Sequence, residues 1–424
     1  MGSIAEDQVP AGRDLIRTSL DELAREGARR LIAAALEIEV ADYVERLRAE
    51  RDADGRALVV RNGRARPRPV TVGAGTVAIT APRVNDQRVV DGEKQKFTSA
   101  ILPPYVRRSP KVAEVLPLLY LHGLSSGDFQ RVLPVLLGED AAGLSPAAIT
   151  RLTQAWTAEY AAFRQRDLSG IDYVYVWADG VHFNIRLEAD RLCTLVLIGA
   201  RPDGTKEVIA VEDGYRESTE SWLGVLRGLK ARGMQAPVLA IGDRALGFWA
   251  ALRDVWPPTR TQTCWVHRLA NALDKLPTGL QPRAKRLLHD AMYAQSRAAC
   301  EQALAAFAAE FGAKYPKAVE ALTRDQDQLL TFFDFPAEHW GHLRTTNPIE
   351  STFATVRLRE RVTKGAGSRT AGLTMAFKLL LMAQARWRRL NAAHLVAQVR
   401  AGVTFKDGRR LEREEVIDDS RVAA

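Results

Sequence analysis

Along the first 50 residues apolar side chains recur at helical spacing, at Leu20, Leu23, Leu31, Ile32, Leu36 and Val40, with acids and arginines between them. This predicts a helical region over 1–60. The pattern then changes. The stretch RNGRARPRPVTVGAGTVAITAPRV, from Arg61, is rich in Gly, Pro, Val and Thr and alternates around Val77 and Ile79, which predicts short strands with exposed arginines in a basic segment, 61–105. From Ser109 the 3.6-residue period returns, with a helix to Leu121, a break at Gly123, a helix over 126–137 bent at Pro134, and a turn through Gly138 and Gly143. A third helix, 146–163, has Ser145 as N-cap, Pro146 at its first position, and Leu144 and Ile149 at the spacing of a hydrophobic staple. Three helices with tight turns over 106–168 fit a helix-turn-helix-like DNA-binding domain, and equally a helical linker, since few side chains besides Arg151 would reach a base.

The next part is the most regular. IDYVYVWADG, LCTLVLIGA and KEVIAV read as three strands of an antiparallel meander, the first ending at Asp179 and the last two joined by the turn RPDGT. A helix over 218–231 puts Trp222, Val225, Leu226 and Leu229 on one face and stops at Gly233. APVLAIGD is a fourth strand ending at Asp243; a short helix over 247–255 leads to a fifth, TQTCWV. Strand, strand, strand, helix, strand, helix, strand is the order of a ribonuclease H-like α/β core built on a mixed five-stranded sheet. Its first part is placed at 169–270, an Ala-rich all-helical insertion at 271–344, and its last part at 345–385. A long basic amphipathic helix over 371–399 is expected toward the end, within a basic tail, 386–424, whose residues beyond Lys406 look frayed.

Composition changes this picture in three ways. A chain of 424 residues divides into two to four domains. Its net charge of +9 is clustered: 61–131 carries 12 basic against 5 acidic residues, or +7, and 351–410 carries 13 against 2, or +11. Two such blocks in a chain whose remainder is acidic suit a polyanionic partner, although solvated helix faces also read this way. Three widely spaced cysteines (Cys193, Cys264 and Cys300) argue against a secreted disulfide framework. No apolar run approaches the roughly 20 residues of a membrane span, and the start, MGSIAEDQVPAGRD, has no signal-peptide pattern. A cytoplasmic, nucleoid-associated protein is expected.

The candidate chemistry rests on carboxylates. In this strand order Asp179 and Asp243 end adjacent central strands, so both side chains meet at one sheet edge. Two carboxylates about 4 Å apart repel by roughly 4 kcal/mol at an effective dielectric near 20, so such a pair raises one pKa or recruits a cation. All-oxygen ligands favour Mg²⁺, with Mn²⁺ as a substitute. Glu350, on a later helix, is the third candidate ligand. Each residue has a plainer reading: Asp179 before Gly180 as a turn residue, Asp243 before Arg244 as a surface pair, and Glu350 as the N3 acid of a capping box opened by Asn347 and Pro348. The combination is stronger than its parts, because arginines following Glu350 suit phosphates while the acid holds metal. Two ions about 3.5 to 4 Å apart would activate a water or a 3′-hydroxyl for in-line displacement at phosphorus. Cys264 and His267, in CWVH, have the spacing of half a zinc site with no matching second pair; a local role beside the acids, or plain packing, is the better reading. DNA contacts are expected from Arg61, Arg64, Arg66, Arg68, Arg151, Arg357, Arg359, Arg361 and Lys364.

ADGVHF, IGDRALGFW, CWVH and TTNPIESTFATVR, preceded by RNGR, YLHGLSSGDFQRVL and LSPAAITRL, resemble the mutator-type transposases of bacterial insertion sequences over about residues 30–399. The resemblance implies an Asp-Asp-Glu triad at Asp179, Asp243 and Glu350, with the family's Cys-x-x-His signature at Cys264 and His267. It also implies Mg²⁺-dependent cleavage at transposon ends, strand transfer into target DNA, and a homodimer or larger assembly that recognises terminal inverted repeats on double-stranded DNA. Arg244 stands where a small residue is commoner, and Pro348 where alanine is also usual; neither removes a ligand. Two other functions share the fold: a domesticated, non-cutting DNA-binding regulator, and a structure-selective nuclease or resolvase.

Overall fold

The computed structural model describes residues 19–121, 126–137, 146–185, 191–214, 216–244, 247–363 and 365–411. The chain divides into two compact units, 1–154 and 155–424.

In the first unit, α1 (Leu20–Arg46) starts at a complete capping box: the Ser19 hydroxyl accepts from Glu22 N–H while the Glu22 carboxylate accepts from Ser19 N–H. Of its apolar positions only Leu36 and Val40 are buried. Leu36 packs with Val70, Val77, Ile79 and Leu102, four residues that come from β2 (Arg68–Val72), β3 (Gly75–Ile79) and the chain beyond. Strand β1 (Val59–Arg64) pairs antiparallel with β4 (Pro82–Asp86), and β2 with β3. A two-residue pair, β5 (Val89–Val90) and β6 (Glu93–Lys94), follows. The basic segment is therefore stranded, as its alternation predicts. Helices α2 (Pro110–Leu121) and α3 (Ser126–Leu137) come next; α3 continues past Pro134. The expected turns at Gly123, Gly138 and Gly143, and the Leu144 and Ser145 cap, lie outside the described residues. Helix α4 (Pro146–Gln165) contains the boundary between the units.

In the second unit, β7 (Tyr175–Phe183), β8 (Leu192–Ala200) and β9 (Lys206–Gly214) form the antiparallel meander. After α5 (Thr219–Ala231), strand β10 (Leu239–Gly242) adds parallel to β7; after α6 (Phe248–Val255), β11 (Arg260–Thr263) adds parallel to β10. The mixed sheet has the order β11-β10-β7-β8-β9. Every residue of β8 is buried, which explains its unbroken apolar run: a strand covered on both faces has no polar face. One cover is α5 and α6, whose Trp222, Leu226, Leu229, Phe248 and Leu252 pack with Val176, Ala178, Leu195 and Ala240 of the sheet. Each fully buried leucine, valine or phenylalanine among them contributes about 1.5–3 kcal/mol. On the other face Tyr175 meets Phe335 and bonds His339, while the Trp177 indole donates to the His342 carbonyl.

The chain from 265 onward is helical: α7 (Trp265–Leu273), α8 (Gln281–Met292), α9 (Arg297–Phe311), α10 (Pro316–Thr323), α11 (Gln326–Leu330), two 3₁₀ turns, and α12 (Trp340–Leu343). Buried Gln262 of β11 ties it to the sheet, donating to Leu329 C=O and accepting from Phe332 N–H. Then come α13 (Asn347–Thr363), α14 (Arg369–Gln384), α15 (Ala393–Arg400) and a terminal hairpin, β12 (Phe405–Lys406) with β13 (Arg409–Arg410).

Four local expectations change. Strand β7 runs on to Phe183, so Asp179 is inside it, because β8 pairs with it along its whole length. Strand β11 stops at Thr263, and Cys264 is the N-cap of α7. The single helix expected over 371–399 is two, since buried Leu390 bonds through its N–H to Gly204 C=O and Ala392 turns left-handed at φ 45°. Residues 407–411 are ordered in the hairpin, where left-handed Asp407 and Gly408 make the turn and Gly408 lies against Ala337.

Candidate active site

Pairing of β10 with β7 ends at Gly242 opposite Ala178. Asp243 and Asp179 are the next residues on these two adjacent parallel strands, which puts them side by side at one end of the shared ladder. Asp179 is 9% exposed, and one oxygen accepts from Gly180 N–H at 2.8 Å. Burial, reinforced by the Glu217 and Glu350 carboxylates, pushes its pKa up to about 7 against the lowering effect of that bond. One carboxylate oxygen of Asp243 is buried with no hydrogen-bond partner.

Glu350 comes from the first turn of α13, which packs on β7. The helix begins at Asn347, so Thr346, and not Asn347, holds the capping position: its carbonyl accepts from Glu350 N–H and its hydroxyl donates to the Glu350 carboxylate. The same Thr346 donates its N–H, at 3.3 Å, to the sulfur of buried Cys264. His267, one turn along α7, places Nδ1 3.6 Å from Glu350 Oε1; this nitrogen is buried and makes no hydrogen bond. The neighbouring Cys264 sulfur, with the Asp243 and Glu350 carboxylates, raises His267 to about 9 against its burial. Cys264, His267 and Glu350 present ligand-capable atoms within 4.8 Å of one another.

Sequence reasoning missed Glu217. It lies in the connection before α5 and is half-buried; burial and the Asp243 charge raise its pKa. Its Oε1 sits 3.7 Å from His182 Nδ1, and His182 faces Cys193 across the β7–β8 ladder, so that His182, Cys193 and Glu217 form a second ligand-capable group. The available signal was Gly180, since a glycine inside a strand marks close approach by another group.

The sequence model of the transposase family called Mutator matches residues 4–389 of the chain. The chain belongs to that family. The transposase of insertion sequence IS6120 from Mycolicibacterium smegmatis is 59% identical over 302 residues, covering 71% of this chain and 93% of the relative. The transposase of IST2 from Acidithiobacillus ferrooxidans is 48% identical over 287 residues, 66% of this chain and 95% of the relative. The transposase of ISRM5 from Rhizobium meliloti is 26% identical over 387 residues, 90% and 92%. Members of such a family cut and join DNA.

For this Mutator-family chain the expected DNA-contacting arginines separate by environment. Arg61 and Arg64 both pair with Glu37 of α1. Arg68 is turned to structure, donating to the carbonyls of Leu102 and Pro103. Arg66 is exposed. Arg151 is exposed on α4. On α13, Arg357 lies over the Phe353 ring and Arg361 is exposed; Arg359 is in the same helix, and Lys364 lies outside the described residues. No helix among the described residues is long and apolar enough to cross a membrane.

Proposed function

We propose that the chain is a DNA transposase that binds the terminal inverted repeats of an insertion sequence, cleaves the element ends and joins the 3′-hydroxyl to target DNA, with Asp179, Asp243 and Glu350 as its catalytic acids. The observation that carries the reading is the side-by-side position of Asp179 and Asp243 past the last rung of two parallel strands, with Glu350 close enough to perturb Asp179. On the same reading the sheet is a ribonuclease H-like core, and the helices of 271–344 are an insertion within it.

The donor set suits a hard divalent cation: three carboxylates, one buried oxygen of Asp243 lacking any partner, and a carboxyl at Asp179 whose pKa is raised first by burial and then by the Glu217 and Glu350 charges, a penalty on the anion that a cation would relieve. Asp179, Asp243 and Glu350 would hold two Mg²⁺ ions, or Mn²⁺ in their place, which supply activation of the attacking oxygen and stabilisation of the leaving one. The chain's own groups do the rest. Thr346 fixes the Glu350 rotamer, the His267 imidazolium balances charge among the acids, and burial of Asp179 keeps water from competing for its oxygens. Exposed Arg361 and Arg357, on the helix that carries Glu350, offer cations to phosphates entering beside it. Arg66 and its basic strands, with α4, would bind the inverted repeats, and two or more protomers would bring two ends together.

The test incubates the full chain with a labelled element end and Mg²⁺ or Mn²⁺, beside Glu350→Ala. Nicked and joined products from the wild type, and bound but uncut DNA with the variant, are expected. Cutting without joining would make the protein a nuclease or resolvase, and binding with neither would make it a regulator; either result overturns the proposal.

A further inference from the structure

A cavity of about 370 Å³ opens at Arg244, the residue after Asp243, between α6, α7 and the α10–α11 corner, lined by Arg244, Trp249, Arg253, Asn271, Arg324 and Gln328 together with Asp325. The volume falls within the roughly 300–1,000 Å³ of small-ligand pockets. Its chemistry is specific: three guanidinium groups against one carboxylate, two side-chain amides, and an indole.

The walls are built independently of any ligand. Buried Arg268 donates to the carbonyls of Ala321, at 2.8 Å, and Arg324, at 2.6 Å, which fixes the corner carrying Arg324 and left-handed Asp325. Asp325 is engaged by Arg244 at 3.2 Å, so the one acid is neutralised from inside the pocket. Arg253 has no acidic partner among the described residues, and Arg324 has only exposed Glu320, at 4.0 Å, a contact of little worth in water. The indole of Trp249 donates to the Asp243 carbonyl at 2.7 Å, and Arg244 follows Asp243 in the chain. The pocket is thus fastened to a proposed catalytic acid.

We propose that this cavity receives one unpaired nucleotide of the DNA strand next to the position of cleavage, its phosphate on Arg253 and Arg324 and its base between the Trp249 wall and the amides of Asn271 and Gln328. A duplex is far too wide to enter it, whereas a single nucleotide matches its size and its division into cationic and amide-lined parts. Trp249 is 7% exposed and offers the base only a small apolar surface, while the two amides, each with donors and an acceptor, can meet the edge of any base. The inference rests on the reading of the chain as a DNA-cutting enzyme, and deepens it by stating what the substrate does beside Asp243.

The test is a binding measurement with the full chain at fixed salt and without divalent ions, so that nothing is cut. The probes are a blunt duplex, the same duplex with two unpaired nucleotides at its 3′ or its 5′ end, and that extension made abasic. For the wild type one of the two extensions should strengthen binding about 5- to 100-fold, and the abasic extension should lose most of that gain. In Arg253→Ala/Arg324→Ala the gain should fall below twofold. Arg227→Ala/Arg283→Ala, which removes the same charge elsewhere on the surface, should weaken all probes alike and keep the gain. No gain with either extension in the wild type, a gain retained by the pocket variant, or an equal gain from the abasic probe, which would mean phosphate contact only, each overturns the proposal. Failure of the catalytic reading is separate: it appears as cleavage surviving Glu350→Ala, which this measurement does not register.

Discussion

The Glu217 carboxylate occupies the space where a side chain at residue 180 would begin: a Cβ on Gly180 would meet Glu217 Oε1 at 2.3 Å. A glycine next to Asp179 therefore admits a fourth acid to the site. Gly180→Ala should push Glu217 away at little cost in stability, because every atom the new methyl meets belongs to that one flexible side chain, and should lower cleavage at least tenfold with end binding unchanged. Glu217→Gln should keep the fold and also lower cleavage. If both variants cut like the wild type, Glu217 is a bystander. Gel assays of cleavage alongside thermal melts decide this.

Asp179→Asn, Asp243→Asn and Glu350→Gln should each abolish cleavage in Mg²⁺ while leaving the affinity for the element end within about threefold, since each acid repels rather than attracts phosphate. Cleavage by any one of them at more than about 1% of the wild-type rate would remove that residue from the triad.

The same Asp179→Asn should stabilise the metal-free protein. The folded-state pKa of Asp179, about 7, lies above its unfolded value near 3.8. The folded state therefore holds the proton more tightly, and as pH rises from about 4 to 7 the protein loses stability from this group, at most about 4 kcal/mol. Asparagine carries no such cost. In chelator at pH 8 the variant should melt several degrees above the wild type; at pH 4.5 the gap should fall to about a quarter, and Mg²⁺ at pH 8 should shrink it by stabilising only the wild type. Equal melting at pH 8 would show that Asp179 is not under charge strain.

Thr346→Val keeps the shape but removes the hydroxyl that holds Glu350. A lost partner of a metal-binding side chain typically costs 10- to 100-fold in activity or metal affinity. Cleavage should fall by that factor and recover in part at high Mg²⁺; Thr346→Ser should restore it. Full activity in the valine variant would leave Glu350 positioned by α13 alone.

Neighbouring arginines of the basic segment should behave differently. Arg66→Ala should weaken DNA binding about equally across sequences and reduce the salt slope by about one. Arg68→Ala should instead destabilise the first unit by about 1–3 kcal/mol, because two carbonyls lose their donor. Binding titrations at several salt concentrations and denaturant melts separate the two roles.

The elements were legible where one periodicity ruled. Helix α5 has the four buried residues that its 3.6 spacing names, and β8 is the buried strand that its apolar run announces. Errors fell at junctions. TQTCWV and the long tail helix each read as one element, because local propensity does not register that Cys264 must cap α7 or that the Leu390 backbone is drawn to Gly204.

The sequence by itself determined the five strands and their helices, the clustering of positive charge, the acids worth pairing and the resemblance to a family, because periodicity, charge and motif are properties of order along a chain. The register of β10 against β7, the arrival of Glu217 over Gly180, the Cys264–Thr346–Glu350 contacts and the arginine-lined cavity were decided only by tertiary structure. Each joins segments tens of residues apart. Their approach depends on how whole layers pack, and no local pattern records it.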